Sequence, residues 1–301
     1  MTQSRITILD GAMGTELKAR GATVPDYRSS AWSALALVHD PGTVKQVHRD
    51  YIDAGAKVVT ANNYAVVPRL LSRVGLADRL EELTRTACRL ARAARDESGR
   101  RDVLVAGSLP PLDTTYRSDL VPDDTELDET YSQIAQVLAS EADLALAETL
   151  TTAREAVAAA RAAHRAGLRL WISWNLALDA PVLRGGESLT SAVRALDGLP
   201  VDAFLVNCTP TGHVLDALKE LRTATDRPIG AYANNCKSAS TQDALDSCED
   251  DLLGPEPYAD IAATWIAAGA TLIGGCCDTT PAHISTLARR WGDDRRVRAC
   301  D

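Results

Sequence analysis

Aromatic residues make up only 4% of this 301-residue chain, and Phe204 is its sole phenylalanine. A complete aromatic cage around a quaternary ammonium would therefore depend on a few Trp and Tyr side chains. Long apolar runs are missing as well: no uninterrupted stretch reaches the roughly 18 residues of a membrane-spanning helix, and residues 1–10 are too poor in apolar side chains for a secretory signal. Clusters of Lys and Arg broken by aromatics are absent and the net charge is -9, which argues against a nucleic-acid or anionic-membrane partner. No low-complexity linker divides the chain. The expectation is a soluble, cytoplasmic protein with one large core, a single domain over 1–301 with 292–301 as a tail. Monomer and homo-oligomer are both compatible with the sequence.

Seven cysteines are present, at 88, 208, 236, 248, 276, 277 and 300. An odd number cannot pair fully within one chain, and a reducing compartment disfavours a disulfide framework. Cys88 lies on an amphipathic pattern and reads as core or helix surface. Cys236 and Cys248 fall in the polar stretch from Asn234 to Pro257, and Cys300 in the tail. The other three stand apart, because Cys208 ends the apolar run from Ala203 to Asn207 and Cys276-Cys277 follow the run from Ala270 to Gly275.

Short apolar runs alternate with helical periodicity along the whole chain. The candidate strands are Ile6 to Leu9, Lys57 to Thr60, Val103 to Gly107, Leu144 to Glu148, Leu170 to Asn175, Ala203 to Asn207, Pro228 to Tyr232 and Thr271 to Gly275. Helical stretches lie between them, clearest over Arg79 to Glu97 and Ala153 to Ala166. An Ala-Gly step leads into strands at Gly55, Gly167 and Gly269, as expected where a helix stops at a C′ glycine. Eight strand-then-helix units predict a (β/α)8 TIM barrel, with a doubly wound open sheet as the alternative. The long intervals after strands one to three should wall the functional site.

In such a barrel, function sits at the carboxyl ends of the strands. Those ends carry Asp10, Thr60 to Asn63, Ser108, Glu148, Asn175, Asn207-Cys208, Asn234-Asn235 and Cys276-Cys277. Three thiols at the ends of strands six and eight could hold a soft metal, with zinc the natural choice: it binds thiolates at about 2.3 Å and keeps a fourth position open in catalytic sites. Two other readings stand beside this one, small buried cysteines or a vicinal disulfide at 276 and 277. Three thiolates leave the site net negative, which suits capture of an external thiol better than activation of water.

The chain resembles the homocysteine S-methyltransferases. The resemblance rests on Leu9-Asp-Gly-Ala-Met-Gly-Thr-Glu-Leu17, Val59-Thr-Ala-Asn-Asn-Tyr64, Ala106-Gly-Ser-Leu-Pro-Pro111, Glu148-Thr-Leu150, Val206-Asn-Cys208 and Ile273-Gly-Gly-Cys-Cys277, in order along nearly the whole chain. It implies a Zn2+ ion on Cys208, Cys276 and Cys277, and a methyl transfer that turns homocysteine into methionine. It also implies that Asp10 and Glu148 face the amino group of homocysteine, and that backbone N–H groups around Gly11, Ala12 and Met13 receive its carboxylate. Asn207 would act at the substrate or orient the neighbouring ligand cysteine, with a loop-fixing role as the alternative. Taken alone, Asp10 reads equally as a turn residue before Gly11 and Glu148 as a solvated strand end. The donor expected for a chain of this length is a sulfonium, S-methylmethionine or S-adenosylmethionine, with betaine less favoured; Tyr64, Tyr116 and Tyr232 are candidate mouth aromatics. No catalytic histidine is expected. The alternatives are another small thiol or selenol as acceptor, or a zinc- and thiol-binding regulator without turnover. The chain departs from the family at Asp278, where glycine is usual, and at Asn62-Asn63.

Overall fold

The computed structural model describes residues 5–237 and 252–292. Its eight strands are β1 (Thr7–Ile8), β2 (Val58–Thr60), β3 (Leu104–Leu109), β4 (Leu144–Leu150), β5 (Leu170–Trp174), β6 (Ala203–Pro210), β7 (Ile229–Asn234) and β8 (Ala270–Gly275). All pair in parallel, in the order β1-β8-β7-β6-β5-β4-β3-β2. The parallel bridge Leu9↔Val58 joins the two ends, with Lys57 N–H donating to Ile8 O at 2.7 Å and Asp10 N–H to Val58 O at 3.0 Å. The sheet therefore closes into the (β/α)8 barrel, and the open-sheet alternative falls. The family of strands is buried on both faces, which is why each reads in sequence as a continuous apolar run.

Helices clothe the barrel for the reasons their sequences give. Over Leu80–Ser98, the residues Leu80, Leu83, Ala87, Ala91 and Ala94 are buried along one face, and Gly99 ends the helix in the left-handed region at φ 70°. Ala153–Arg165 starts with a capping box in which Thr152 and Glu155 satisfy each other's backbone N–H groups. The glycines of the three helix-to-strand junctions, Gly55, Gly167 and Gly269, have φ of 106°, 71° and 99°, conformations open chiefly to glycine.

One sequence expectation ends differently. Cys236 is buried and disulfide-bonded, whereas no disulfide was expected. Cys248, Cys300 and the tail from 293 lie outside the described residues, as does most of the polar stretch between Asn234 and Pro257. The last described helix is Pro281–Trp291. No helix among the described residues is long and apolar enough to cross a membrane.

Candidate active site and metal centre

At the carboxyl end of the barrel a cleft of about 470 Å³ has Asp10, Glu148, Cys208, Cys276 and Cys277 among its lining residues. The long connections after the first three strands wall it, through Asp26 to Arg28, Trp32, Asn62, Tyr64, Thr115 and Tyr116. This matches the placement expected from the spacing of the strands.

Cys208 and Glu148 sit at local distortions of β6 and β4, while Cys276 and Cys277 follow directly on the end of β8. Register slips between Ala147 and Leu150 in the β4–β5 pairing, and between Asn207 and Pro210 in the β6–β7 pairing. Within each slip sits a non-glycine residue in the left-handed region, Thr149 at φ 59° and Cys208 at φ 50°. Such bulges re-aim side chains at strand ends, and each left-handed residue costs of order 1–2 kcal/mol that the surroundings must offset. Asn207 supplies part of that offset. Its Oδ1 accepts the Thr149 N–H at 2.9 Å and the Ser173 hydroxyl at 2.7 Å, while its Nδ2 donates to Thr149 Oγ1 at 2.7 Å. Asn175 Nδ2 donates to Cys208 O at 2.6 Å and accepts Arg184 Nε–H at its Oδ1; the Arg184 guanidinium in turn lies 4.9 Å above the Tyr116 ring. Asn207 itself is fully buried and does not line the cleft. Its side-chain amide is bonded to Thr149 and Ser173, next in sequence to Glu148 and Trp174.

Asp278 adopts φ 61°, a left-handed conformation that glycine reaches freely and that aspartate is among the side chains to tolerate. Its N–H donates to Thr15 Oγ1 at 3.2 Å and its carbonyl accepts Asn235 Nδ2 at 3.0 Å. The other departure, Asn62-Asn63, is also structural. Asn62 exchanges hydrogen bonds with Ser33 at 2.8 and 2.9 Å, and Asn63 with the Ser108 backbone at 2.8 and 2.9 Å, so the pair fastens the connection after β1 and the last residues of β3 to the end of β2.

The three sulfurs lie within 4.8 Å of one another. Cys208 Sγ is 3.9 Å from Cys277 Sγ, close to the ~3.8 Å edge of a tetrahedron of sulfurs placed about 2.3 Å from a shared ion. Cys208 Sγ is 2.6 Å from Cys276 Sγ, longer than the ~2.05 Å of a disulfide and about an ångström shorter than that edge. The donor set is chemically that of a soft metal ion, and the cluster can hold one. Hydrogen bonding with Cys276 and Cys277 holds the Cys208 thiol well below the usual range, and the same contacts push Cys276 and Cys277 up.

Two carboxyls share the floor. Burial pushes Asp10 up to about 8, with the neighbouring Glu148 charge adding to it, although the Thr60 N–H donates to Asp10 Oδ2 at 2.7 Å. Burial likewise pushes Glu148 up to about 7; the Tyr232 hydroxyl donates to its Oε2 at 3.3 Å. The solvated strand end considered for Glu148 is excluded, since only 8% of it is exposed. Of the backbone donors expected to receive a carboxylate, Ala12 N–H is already engaged by Thr279 Oγ1 at 3.2 Å.

Five of the protein's thirteen aromatic side chains gather here, although aromatics are scarce. Tyr64, Tyr116 and Tyr232 were expected from the sequence. Tyr27 and Trp32 were not, because the connection carrying them has no periodicity to point at the cleft. Trp32 and Tyr64 meet edge to face at 6.0 Å between ring centres, and Tyr27 and Tyr116 at 6.3 Å. Arg73 fixes this wall, donating to Arg28 O at 3.1 Å, Thr114 Oγ1 at 3.0 Å and Asp113 Oδ1 at 2.5 Å. No histidine lines the cleft.

Known proteins resemble this chain over nearly its whole length. The family model described as homocysteine S-methyltransferase matches residues 7–291. A homocysteine S-methyltransferase of Escherichia coli is 34% identical, with 95% of each chain covered, and one of Zea mays is 32% identical over 94% of this chain and 88% of that one. The crystal structure of the homocysteine methyltransferase MmuM from Escherichia coli, in its metallated form, superposes with a TM-score of 0.81 at 32% identity, covering 96% of this chain and 97% of that one. Barrel, cysteine cluster and end-to-end sequence match agree, and the chain belongs to the homocysteine S-methyltransferase family.

Proposed function

We propose that this protein transfers a methyl group from a small sulfonium donor to homocysteine, giving methionine. The observation that carries the reading is the meeting of three converging thiols and two buried carboxyls in one cleft walled by aromatic rings. The residues that would hold the metal are Cys208, Cys276 and Cys277; Zn2+ there would supply the electrostatic stabilisation that keeps a thiol, otherwise a few per cent ionised at neutral pH, in its thiolate form.

Asp10 and Glu148 bind the acceptor's ammonium group, which restores their ionised forms by giving the buried charge a partner. Trp32, Tyr64, Tyr27 and Tyr116 face the donor, whose positive sulfonium is attracted to the ring faces while its water is stripped away. The acceptor sulfur then attacks the methyl carbon in line. A sulfur–carbon bond forms, the bond to the donor sulfur breaks, and its electron pair stays with the departing thioether. An anion and a cation become two neutral molecules, so a cleft that solvates ions poorly favours the transition state. No proton moves in that step, consistent with the lack of a histidine. Placing both partners within reach contributes roughly 7–11 kcal/mol in well-oriented cases.

S-methylmethionine and S-adenosylmethionine are the donors this reading favours. Reduced ligand thiols are a condition of the chemistry, which places it in a reducing compartment such as the cytoplasm. The test is product analysis by mass spectrometry after incubating zinc-loaded protein with homocysteine and each donor in turn. Methionine formed from a sulfonium supports the proposal; saturable homocysteine binding without product from any donor makes the protein a thiol-binding regulator instead.

A further inference from the structure

The acid at the cleft floor and two of its sulfurs come from opposite ends of the chain, and a pair of hydroxyl side chains outside the cleft lining joins them. Thr279 Oγ1 donates to Cys276 O at 2.7 Å and accepts the Ala12 N–H at 3.2 Å; Thr279 N–H also donates to Cys276 O, at 3.1 Å. Tyr51, buried in the helix Pro41–Asp53, places its hydroxyl 2.8 Å from Ala12 O and 3.0 Å from Thr279 O. A phenol has one hydrogen, so both carbonyls draw on the same donor. The segment Asp10-Gly11-Ala12 and the segment Cys276-Cys277-Asp278 are thereby stitched to each other and to a helix outside the barrel.

The packing leaves no slack. A Cβ on Gly11 would lie 2.8 Å from both Thr279 Oγ1 and the Tyr51 hydroxyl, and one on Gly275 would lie 2.3 Å from Thr279 Oγ1. Glycine at these two positions is required by the closeness of the strut rather than by backbone angle, since neither has a positive φ. Neither Tyr51 nor Thr279 lines the cleft.

We propose that Thr279 and Tyr51 are positioning residues that set the separation between the carboxylate of Asp10 and the thiol cluster, and that this separation selects the chain length of the amino-thiol acceptor. An acceptor held at its ammonium by Asp10 and at its sulfur by the cluster spans a fixed distance. Homocysteine matches it, and cysteine, one methylene shorter, does not. A methylene in a well-fitted site is worth roughly 10- to 200-fold in discrimination, provided the two anchors do not move. The proposal rests on the acceptor-binding reading above.

The experiment uses the full chain loaded with Co(II), whose thiolate absorption band reports ligation and its perturbation by an added thiol, so that binding is read independently of turnover. Homocysteine and cysteine are titrated into wild type, Thr279→Val, Thr279→Ser and Tyr51→Phe, with unfolding temperatures measured alongside. Thr279→Val keeps the volume and loses the hydroxyl; it is expected to weaken homocysteine about tenfold, the equivalent of one buried hydrogen bond, and to narrow the preference over cysteine. Thr279→Ser restores both, and Tyr51→Phe shifts them in the same direction as Thr279→Val. In turnover assays the donor KM stays unchanged. A Thr279→Val protein with wild-type homocysteine affinity and wild-type discrimination, and only a lowered unfolding temperature, overturns the proposal, as does failure of Thr279→Ser to restore them. Wild-type protein that binds homocysteine at Co(II) but makes no methionine sinks the catalytic reading while leaving the strut to be judged by the titrations.

Discussion

Asn207 grips Thr149 at two points across the barrel mouth, accepting its N–H at 2.9 Å and donating to its hydroxyl at 2.7 Å. Thr149 follows Glu148 and Asn207 precedes Cys208, so one amide holds the acid of β4 and the thiol of β6 in register, Glu148 beside a left-handed residue and Cys208 in that conformation itself. Asn207→Ala leaves at least two buried groups unsatisfied and is expected to cost about 2–4 kcal/mol. Urea unfolding measures the loss, and a metal-retention assay should show the cluster weakened in parallel. A variant with wild-type stability would mean that the bulges hold themselves.

Cys276→Ser is expected to fold but to lose its metal and its turnover, since the two remaining thiols make a far poorer site for a soft ion. Removal of metal from the wild type with a strong chelator should have the same effect, reversed by added Zn2+. Elemental analysis and circular dichroism on the variant decide the point: a fully active, metal-free Cys276→Ser protein defeats the assignment of the cluster.

Asp10 is held up near 8, so the folded state binds its proton more tightly than the unfolded chain, whose carboxyl titrates near 3.8. The sign follows: from this group alone, stability is greatest below about 3.8 and declines as pH rises towards 8. Asp10→Asn removes that loss and can still accept the Thr60 N–H, so it is expected to be more stable than wild type at pH 8, by about 2 kcal/mol. The same change deprives the acceptor ammonium of its partner and should raise the homocysteine KM on the order of a hundredfold. Thermal unfolding and steady-state kinetics on one preparation test both halves.

His48 is fully buried, with no hydrogen-bond partner at either ring nitrogen, and burial lowers it to about 4 from 6.5. The unfolded chain therefore takes up the proton first on acidification. Stability is complete above about 6.5 and lost as pH falls towards 4, amounting to about 2 kcal/mol at pH 5. His48→Leu should flatten the urea midpoint between pH 7.5 and 5, whereas an unchanged slope would assign acid sensitivity to other groups.

Asp278 at φ 61° separates backbone from side-chain effects. Asp278→Gly is expected to lie within about 0.5 kcal/mol of wild type, because relief in the folded state is offset by greater freedom in the unfolded one. Asp278→Val, β-branched and poorly suited to this region, should cost about 1–3 kcal/mol and loosen the metal loop. Equal stability of the two variants would show that the angle imposes no constraint.

Much of this was legible in the sequence because the signals were local. Each strand is buried on both faces and reads as an apolar run, the junction glycines mark helix stops, and the three cysteines stand where runs end. Asp278 was marked as a departure from the resemblance, and its backbone takes a positive φ. What escaped depends on contacts between distant segments. The left-handed turns at Thr149 and Cys208 are hidden within apolar runs and exist because Asn207 and Asn175 pin them. Trp32 and Tyr27 lie in an aperiodic connection, so only the folded chain brings them over the cleft. Thr279 carries no local signal, because its link to Ala12 bridges nearly the whole length of the chain.

Asp10 has one oxygen committed to the Thr60 N–H, at the seam where the two-residue strand β1 meets β2. The side chain therefore serves as a stave-binding in the barrel wall as well as a face of the cleft, and only its second oxygen is available to a guest. A chain cannot relocate this acid to suit a new ligand without also reopening the wall, so changes of substrate in this architecture are steered towards the aromatic panels opposite, where no masonry is disturbed.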